Sequence, residues 1–369
     1  METNQLDTAE FWDSDGIDVR LNPRLNYDST GLAAFLSEER GFHSAVVVAT
    51  SGSSGSAKFV VLKKTALLAS AVMVNQWCDV TGADTWWGGL STFHVGGLGI
   101  FARSVLTGSR VVVPDSMEWN RGAGYVEQLE NAGVTLTSLT PVHLHDLVVS
   151  GSKAHKAMRG LFLGGGKISD RLVERAIDLG WPVWPTYGMS EAGSQIATSL
   201  TGDHKSLPVL PGWDARVGKD TGALEIRGEA LFSGYATKHN GRWQFIDSSQ
   251  RDDFFTTGDV VALENRQLRF LHRSDDLVKV LGELVSVSKV ESAASEEGRE
   301  VIVIPLPDAR LETRLVAVLE GAAPEGADWI ERINQKLARI EQLSEVRVVA
   351  AFPRTAIGKV NRKKLGLLF

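Results

Sequence analysis

Between residues 44 and 185 the chain alternates short apolar runs with segments of helical period, and this alternation leaves few folds open. Residues 44–49 (SAVVVA), the neighbourhood of Trp86 and Trp87, and residues 109–113, 135–139, 159–163 and 182–185 are short and rich in apolar side chains. Such runs read as buried strands. Residues 65–80, 100–106, 125–132, 141–149 and 170–179 read as helices, with Thr65 as a candidate N-cap for the first. Parallel strands need a long crossover, usually a helix, so a layered α/β sheet with mainly parallel strands is expected. Residues 1–43 are polar and weakly patterned.

Beyond about residue 205 the pattern changes. Residues 222–228 and 265–271 alternate apolar and polar positions, as antiparallel strands with one wet face do. Farther on come strands at 301–304, 314–319 and 346–351, and a helix over 328–343 with Ile330, Ile333, Leu337 and Ile340 on one stripe. The expected fold class is therefore α/β. A large N-terminal domain over 1–272 would carry layered, largely parallel sheets and an antiparallel part. A small α+β domain would occupy 273–369.

Composition removes several functional classes. Lys and Arg number 39 against 45 Asp and Glu, a net charge of −6 with no long run of either sign. A nucleic-acid partner needs a basic surface and is not expected. Cys78 is the one cysteine, which excludes an internal disulfide and a cysteine zinc site. No apolar run approaches the ~20 residues that span a bilayer. The first residues are polar and acidic, unlike a signal peptide. A soluble, cytoplasmic protein is expected, and a homo-oligomer stays open.

Five short motifs carry candidate chemistry. The first, TSGSSGSAK at 50–58, offers hydroxyls and backbone N–H groups from Thr50, Ser51, Gly52, Ser53, Ser54 and Gly55, closed by Lys58. That inventory suits a polyphosphate, and a position after a strand and before a helix would favour it. It lacks the Gly-Lys-Ser/Thr of a Walker loop, and a plain flexible loop is the alternative. The second, PTYGMSE at 185–191, places Tyr187, Gly188, Ser190 and Glu191 at a strand end. Tyr187 could stack on a base, Ser190 bond a phosphate and Glu191 hold Mg²⁺, an oxygen-seeking ion. A turn with a helix-capping Ser-Glu pair is the bland alternative. The third, TTGD at 256–259, sets Asp259 where it could accept both hydroxyls of a ribose or merely close a turn. The fourth is RSDD at 273–276 with Lys279, Gly282 and Glu283, and the fifth is PRTAIGK at 353–359. Each could equally be a solvated charged segment.

Taken together and in order, TSGSSGSAK, the triple glycine Gly164, Gly165 and Gly166, YGMSE, TTGD, RSDD, LGELV and PRTAIGK resemble the adenylate-forming superfamily. That superfamily comprises acyl-CoA synthetases, luciferases and peptide-synthetase adenylation domains. The resemblance covers about residues 44–365. Two departures stand out: only 49 residues precede the phosphate loop, so the N-terminal subdomain is expected to be reduced, and His272 stands where the family usually has glycine. Within the superfamily, FHVGGLGIFAR at 93–103 is similar to the "HVSGxGIxxR" stretch of o-succinylbenzoate–CoA ligases, with Gly96 in place of the serine.

The resemblance implies two half-reactions. A carboxylate attacks the α-phosphorus of ATP to give an acyl-adenylate and pyrophosphate, and a thiol, here CoA, then displaces AMP. It implies that Lys359 bridges carboxylate and α-phosphate, that Glu191 carries Mg²⁺, that Ser190 bonds the α-phosphate, and that the 50–58 loop takes the β- and γ-phosphates. Tyr187, Gly188 and Gly164–Gly166 would frame the adenine, and Asp259 and Arg273 the ribose. Arg103, with His94 and Gly96, would take the acid. It further implies a mobile small domain hinged at Asp275, with Gly282 and Glu283 serving the thioester step. The expected partners are ATP, an aromatic carboxylic acid and CoA. Other aryl- or short-chain acyl-CoA ligases, and a stand-alone enzyme loading a carrier protein, are the alternatives.

Overall fold

The computed structural model describes residues 5–25, 27–50, 58–117, 119, 122, 124–248, 254–295, 300–322, 328–354 and 360–369. The chain divides into two compact units, one of residues 1–216, 225–255 and 263–269, the other of residues 217–224, 256–262 and 270–369.

The first unit holds a six-stranded sheet ordered Arg110–Val112, Thr85–Trp87, Leu136–Leu139, Gly160–Leu163, Val183–Met189 and Ser194–Thr198. Its first five strands run parallel and the last runs antiparallel. The alternation of runs and helices gives this sheet as expected. Leu136–Leu139 and Gly160–Leu163 are buried throughout, as parallel strands covered on both faces must be. Trp87, Leu139, Leu161, Leu163 and Val183 anchor one core against Leu144, Leu147, Leu172 and Val173 of the helices Pro141–Val149 and Asp170–Asp178. Strand Thr85–Trp87 lies between its two successors in sequence, so the chain reverses its direction of travel across the sheet there. In such sheets ligands gather at the carboxyl ends of strands near that reversal.

The second sheet of this unit differs from expectation. It orders Ile17–Arg20, Ala45–Thr50, Lys58–Lys63, Gly234–His239 and Arg242–Asp247, and only its first pair is parallel. The Gly/Ser loop therefore joins two antiparallel strands with Thr50 opposite Lys58, and does not lead from a strand into a helix. Phe59, Val60, Val61 and Leu62 are all buried, a run too apolar for a loop. The helix starts only afterwards, at Lys64. Asn240 and Gly241 close the last hairpin at φ 49° and 77°, the mirror-image turn that matches strand twist. The weakly patterned N-terminus is also structured: Leu6, Trp12, Leu32, Phe35 and Leu36 are buried. The ammonium of Lys64, 1% exposed, donates to the carbonyls of Phe11 (2.6 Å) and Ser14 (2.9 Å) and to Ser14 Oγ (2.6 Å), so all three of its donors hold this segment.

The second unit contains the hairpin Leu277–Val280 and Glu283–Ser286, and the sheet Val301–Asp308, Glu312–Glu320 and Leu343–Val349. Helix Val287–Ser295 packs Val290 and Ala294 onto Val303, Ala317 and Leu319. The helix expected over 328–343 is broken. It runs only Trp329–Asn334, followed by a 3₁₀ turn Arg339–Glu341. Asn334 explains the stop: its side-chain amide accepts from Leu343 N (2.7 Å) and donates to Leu343 O (2.9 Å), standing in for a neighbouring strand. The apolar stripe is buried nonetheless, with Ile333 and Leu337 in the core and Ile330 and Ile340 packed against it.

Candidate active site

Strand Val183–Met189 runs farther than the sequence indicates and includes Tyr187 and Gly188, and Ser190–Ala192 forms a single 3₁₀ turn beyond it. Gly188 faces the backbone of the next strand. A Cβ there would lie 1.8 Å from the carbonyl oxygen of Ser194, so only glycine allows the approach. Gly164, at the carboxyl end of the neighbouring strand, is equally confined, with Thr186 Oγ1 2.3 Å from where a Cβ would stand. The triple glycine and the Tyr187–Glu191 motif thus lie at the carboxyl ends of adjacent parallel strands, where Gly165, Gly166 and Gly188 are exposed.

Glu191 is half-buried. Its carboxylate Oε1 accepts from the Tyr235 hydroxyl at 2.7 Å, and its carbonyl accepts from Phe232 N at 2.8 Å. Lys58 Nζ lies 5.4 Å from the centroid of the same Tyr235 ring. The first and second motifs are therefore brought together through a tyrosine that sequence reasoning missed. Its signal is non-local, since Tyr235 and Glu191 stand 44 positions apart. Among the described residues no group of three His, Cys, Asp or Glu could hold a metal. A single carboxylate completed by phosphate oxygens and water is the usual magnesium arrangement beside a nucleotide, and Glu191 fits it. The side chain of Thr50, residues 51–55, Lys359 and the side chain of Asp275 lie outside the described residues.

Helix Val95–Thr107 is longer than expected, because its glycines serve packing and do not end it. Gly97 meets the carbonyl of Ser91, 2.4 Å from a hypothetical Cβ. His94 caps the helix from an extended conformation, its ring 4.7 Å from that of Phe93, and Gly96 follows in the first turn. Arg103, on this helix, is 1% exposed. Its guanidinium lies over Trp86 (5.6 Å) and Phe162 (5.4 Å), two rings of the six-stranded sheet, and Nη2 donates to Ser194 Oγ at 3.1 Å. Among the described residues Nε has no partner and no carboxylate pairs with the charge. Burial pushes its pKa down from the ordinary arginine range to about 10. Buried charges are normally paired, and among the described residues this one has no carboxylate partner. Ser194 furnishes the hydroxyl that Arg103 meets. It stands 91 positions from Arg103 in the chain, which is why it could not be read from the motif.

In the second unit, Asp259 is buried and accepts from Arg273 Nη1 at 2.9 Å. Thr257 Oγ1 accepts from Asp259 N at 3.1 Å, and Ser274 Oγ donates to the Gly258 carbonyl. The third motif and the start of the fourth are therefore one hydrogen-bonded group. Gly282 and Glu283 are exposed at a two-residue hairpin turn in which Leu281 (φ 53°) and Gly282 (φ 81°) are both left-handed. The described ends of the fifth motif are held firmly. Arg354 pairs with Glu300 (2.6 Å) and Glu320 (3.1 Å), and pairs across a strand bridge with Val360. Arg362 binds Glu291 through both terminal nitrogens, at 2.6 and 2.5 Å.

A family model described as AMP-binding enzyme matches residues 13–236. This chain belongs to the AMP-binding enzyme family. It is similar to the probable 2-succinylbenzoate–CoA ligase of Mycobacterium tuberculosis, at 31% identity over 87% of this chain and 83% of that protein. The 2-succinylbenzoate–CoA ligase of Listeria monocytogenes is 28% identical over 87% of this chain and 69% of its own length. Among solved AMP-binding enzymes, Escherichia coli MenE with a bound analogue of OSB-AMS superposes with a TM-score of 0.70 at 27% identity, over 88% of this chain and 68% of that one. Bacillus subtilis o-succinylbenzoate CoA synthetase with OSB-AMP shares the fold, with a TM-score of 0.77 at 24% identity over 87% and 68%. No helix among the described residues is long and apolar enough to cross a membrane.

Proposed function

We propose that this AMP-binding enzyme is an ATP-dependent 2-succinylbenzoate–CoA ligase. It converts 2-succinylbenzoate, ATP and CoA into 2-succinylbenzoyl-CoA, AMP and pyrophosphate through an acyl-adenylate. The observation that carries the substrate assignment is Arg103. 2-Succinylbenzoate has two carboxylates, of which one is activated and the other stays anionic. A sealed guanidinium with no carboxylate partner among the described residues, lying against two aromatic rings, suits an aryl diacid better than a simple fatty acid. Because Arg103 is closed to water, the acid reaches it only as the groups covering it shift.

Adenylation brings two anions together, so fixed donors and positive charge must offset their repulsion. Ser190 bonds the α-phosphate, Lys58 and the 50–58 loop hold the outer phosphates, and Lys359 bridges the reacting carboxylate and the α-phosphate. Tyr187, Gly188 and Gly164–Gly166 frame the adenine, and Asp259 with Arg273 takes the ribose hydroxyls. His94 and Gly96 border the acid. Asp275 acts as the hinge, and Gly282 and Glu283 serve thiol attack. Mg²⁺, held by Glu191 and phosphate oxygens, supplies charge neutralisation when bound.

The test is pyrophosphate release from ATP and Mg²⁺ with a panel of acids, with and without CoA. The panel holds 2-succinylbenzoate, benzoate, 4-hydroxybenzoate and short and medium fatty acids. Turnover confined to 2-succinylbenzoate with CoA is expected. Preference for a monocarboxylate would refute the substrate assignment. Lys359→Ala is expected to slow adenylation at least ~100-fold, on the scale of a lost transition-state donor, while sparing thioester formation from supplied acyl-adenylate. Equal loss in both halves would remove Lys359 from its role.

A further inference from the structure

We infer that Tyr235 is the positioning residue of the polyphosphate site: its hydroxyl orients the metal-bearing carboxylate of Glu191 while its ring holds the ammonium of Lys58. The inference rests on the roles proposed above for those two residues and adds the part that sets their mutual geometry.

The register of the second sheet produces this arrangement. Tyr235 stands opposite Val60 in the ladder between Gly234–His239 and Lys58–Lys63. Lys58 is two residues from Val60, so its side chain emerges on the same face, at the diagonal position that long side chains can span. Its ammonium, 5.4 Å from the ring centroid, lies within cation–π range. From the other end of the ring the hydroxyl donates 2.7 Å to Glu191 Oε1. Phe232, three residues before Tyr235, donates its N–H to the Glu191 carbonyl, and its ring meets that of Tyr235 edge-on at 4.7 Å. One four-residue segment thus fixes Glu191 at both backbone and side chain.

The choice of donor matters. A lysine or arginine on Glu191 would neutralise the carboxylate and compete with a divalent cation. A tyrosine hydroxyl is neutral at working pH, so it orients the carboxylate and leaves its charge in place. Among the described residues none donates to Oε2, the oxygen that remains for the metal. Partners that orient a metal ligand in this way typically hold 10- to 100-fold in metal affinity.

The experiment compares the parent chain with Tyr235→Phe, Tyr235→His and Glu191→Gln. Mn²⁺ binding in the presence of a non-hydrolysable ATP analogue is followed by electron paramagnetic resonance, alongside the Mg²⁺ dependence of adenylation. Tyr235→Phe keeps the ring and loses only the hydroxyl. It is expected to weaken Mn²⁺ about 10-fold and to raise half-saturating Mg²⁺ by a similar factor, with kcat at saturating Mg²⁺ and the KM for the acid close to those of the parent. Tyr235→His restores a neutral donor and is expected to recover part of the Mn²⁺ affinity, which a purely structural tyrosine would not allow. Parent-like Mn²⁺ affinity in Tyr235→Phe, beside a loss in Glu191→Gln, overturns the role of Tyr235 alone. An unchanged metal response in Glu191→Gln overturns the assignment of Glu191, and the inference with it.

Discussion

Replacing Arg103 by methionine separates the stability of the protein from its chemistry. The side chain is almost completely buried and its pKa is pushed down to about 10 by desolvation. Relative to an ordinary arginine that is a penalty of about 3 kcal/mol on the charged form, at ~1.4 kcal/mol per pKa unit. The sign follows from the direction. A base whose pKa falls on folding destabilises the fold at every pH below the folded value, and the penalty fades only as pH rises past about 10. At neutral pH it is fully present. Methionine removes it, keeps most of the volume, and gives up the hydrogen bond to Ser194 and the two ring contacts, together worth about 2–3 kcal/mol. The balance is close to zero. Arg103→Met is therefore expected to unfold in urea within about 1 kcal/mol of the parent, whereas breaking a buried ion pair costs about 3–5 kcal/mol. The same variant is expected to lose about 3 kcal/mol of acid binding, so that the acid's KM rises roughly 150-fold, with the KM for ATP unchanged. Urea unfolding and steady-state kinetics on the same preparation decide the matter. A variant several kcal/mol less stable whose acid KM is unaltered would show that Arg103 holds the fold together and does not bind substrate.

Two further outcomes follow from the packing. Gly188→Ala must push apart strands that a Cβ would bring to 1.8 Å, so a loss of about 3 kcal/mol in stability and of AMP binding is expected by thermal melting and calorimetry. Gly16→Ala, with nothing within 4 Å, should change neither quantity; parity of the two variants would refute the close-approach argument. Arg362→Met leaves Glu291, 7% exposed, without its bidentate partner. Because the arginine itself is 43% exposed, water can replace part of the contact, and the expected loss is about 2 kcal/mol in urea unfolding, below the range for a fully buried pair. A loss under about 0.5 kcal/mol would count against the pair as an anchor of the C-terminal segment.

The parts of the fold that follow from hydrophobic period were legible in the sequence. The six-stranded sheet and its helices are the example, since each strand is a short apolar run with its own breakers. What escaped depends on partners distant in the chain. The strand Lys58–Lys63 has no reading of its own between the Gly/Ser motif and the helix, and its place is set by its pairing with Ala45–Thr50 and Gly234–His239. The helix through Ile330 and Ile340 has the right stripe but is cut by the side chain of Asn334, which imitates a strand. In the site, Asp259 and Arg273 were foreseen together and meet at 2.9 Å. Arg103 was foreseen as an anchor, yet its burial is set by Trp86, Phe162 and Ser194 from three different strands, and no local pattern reports that. Tyr235 was not foreseen, because nothing about a tyrosine in an ordinary strand marks what its hydroxyl touches.

The pairing of Thr50 with Lys58 has a mechanical consequence. Paired residues in an antiparallel ladder stand about 5 Å apart, which tethers both ends of the seven intervening residues to one rung. Four residues of fully extended backbone span at most ~14 Å, so chain length alone caps the reach of the intervening segment at about that distance from the Thr50–Lys58 rung. Two added residues would extend the radius by roughly 3.5 Å. They would raise the closure entropy by only ~0.2 kcal/mol. The limiting quantity is therefore chain length: any phosphate contact proposed for this segment must fall within that reach of the Thr50–Lys58 rung.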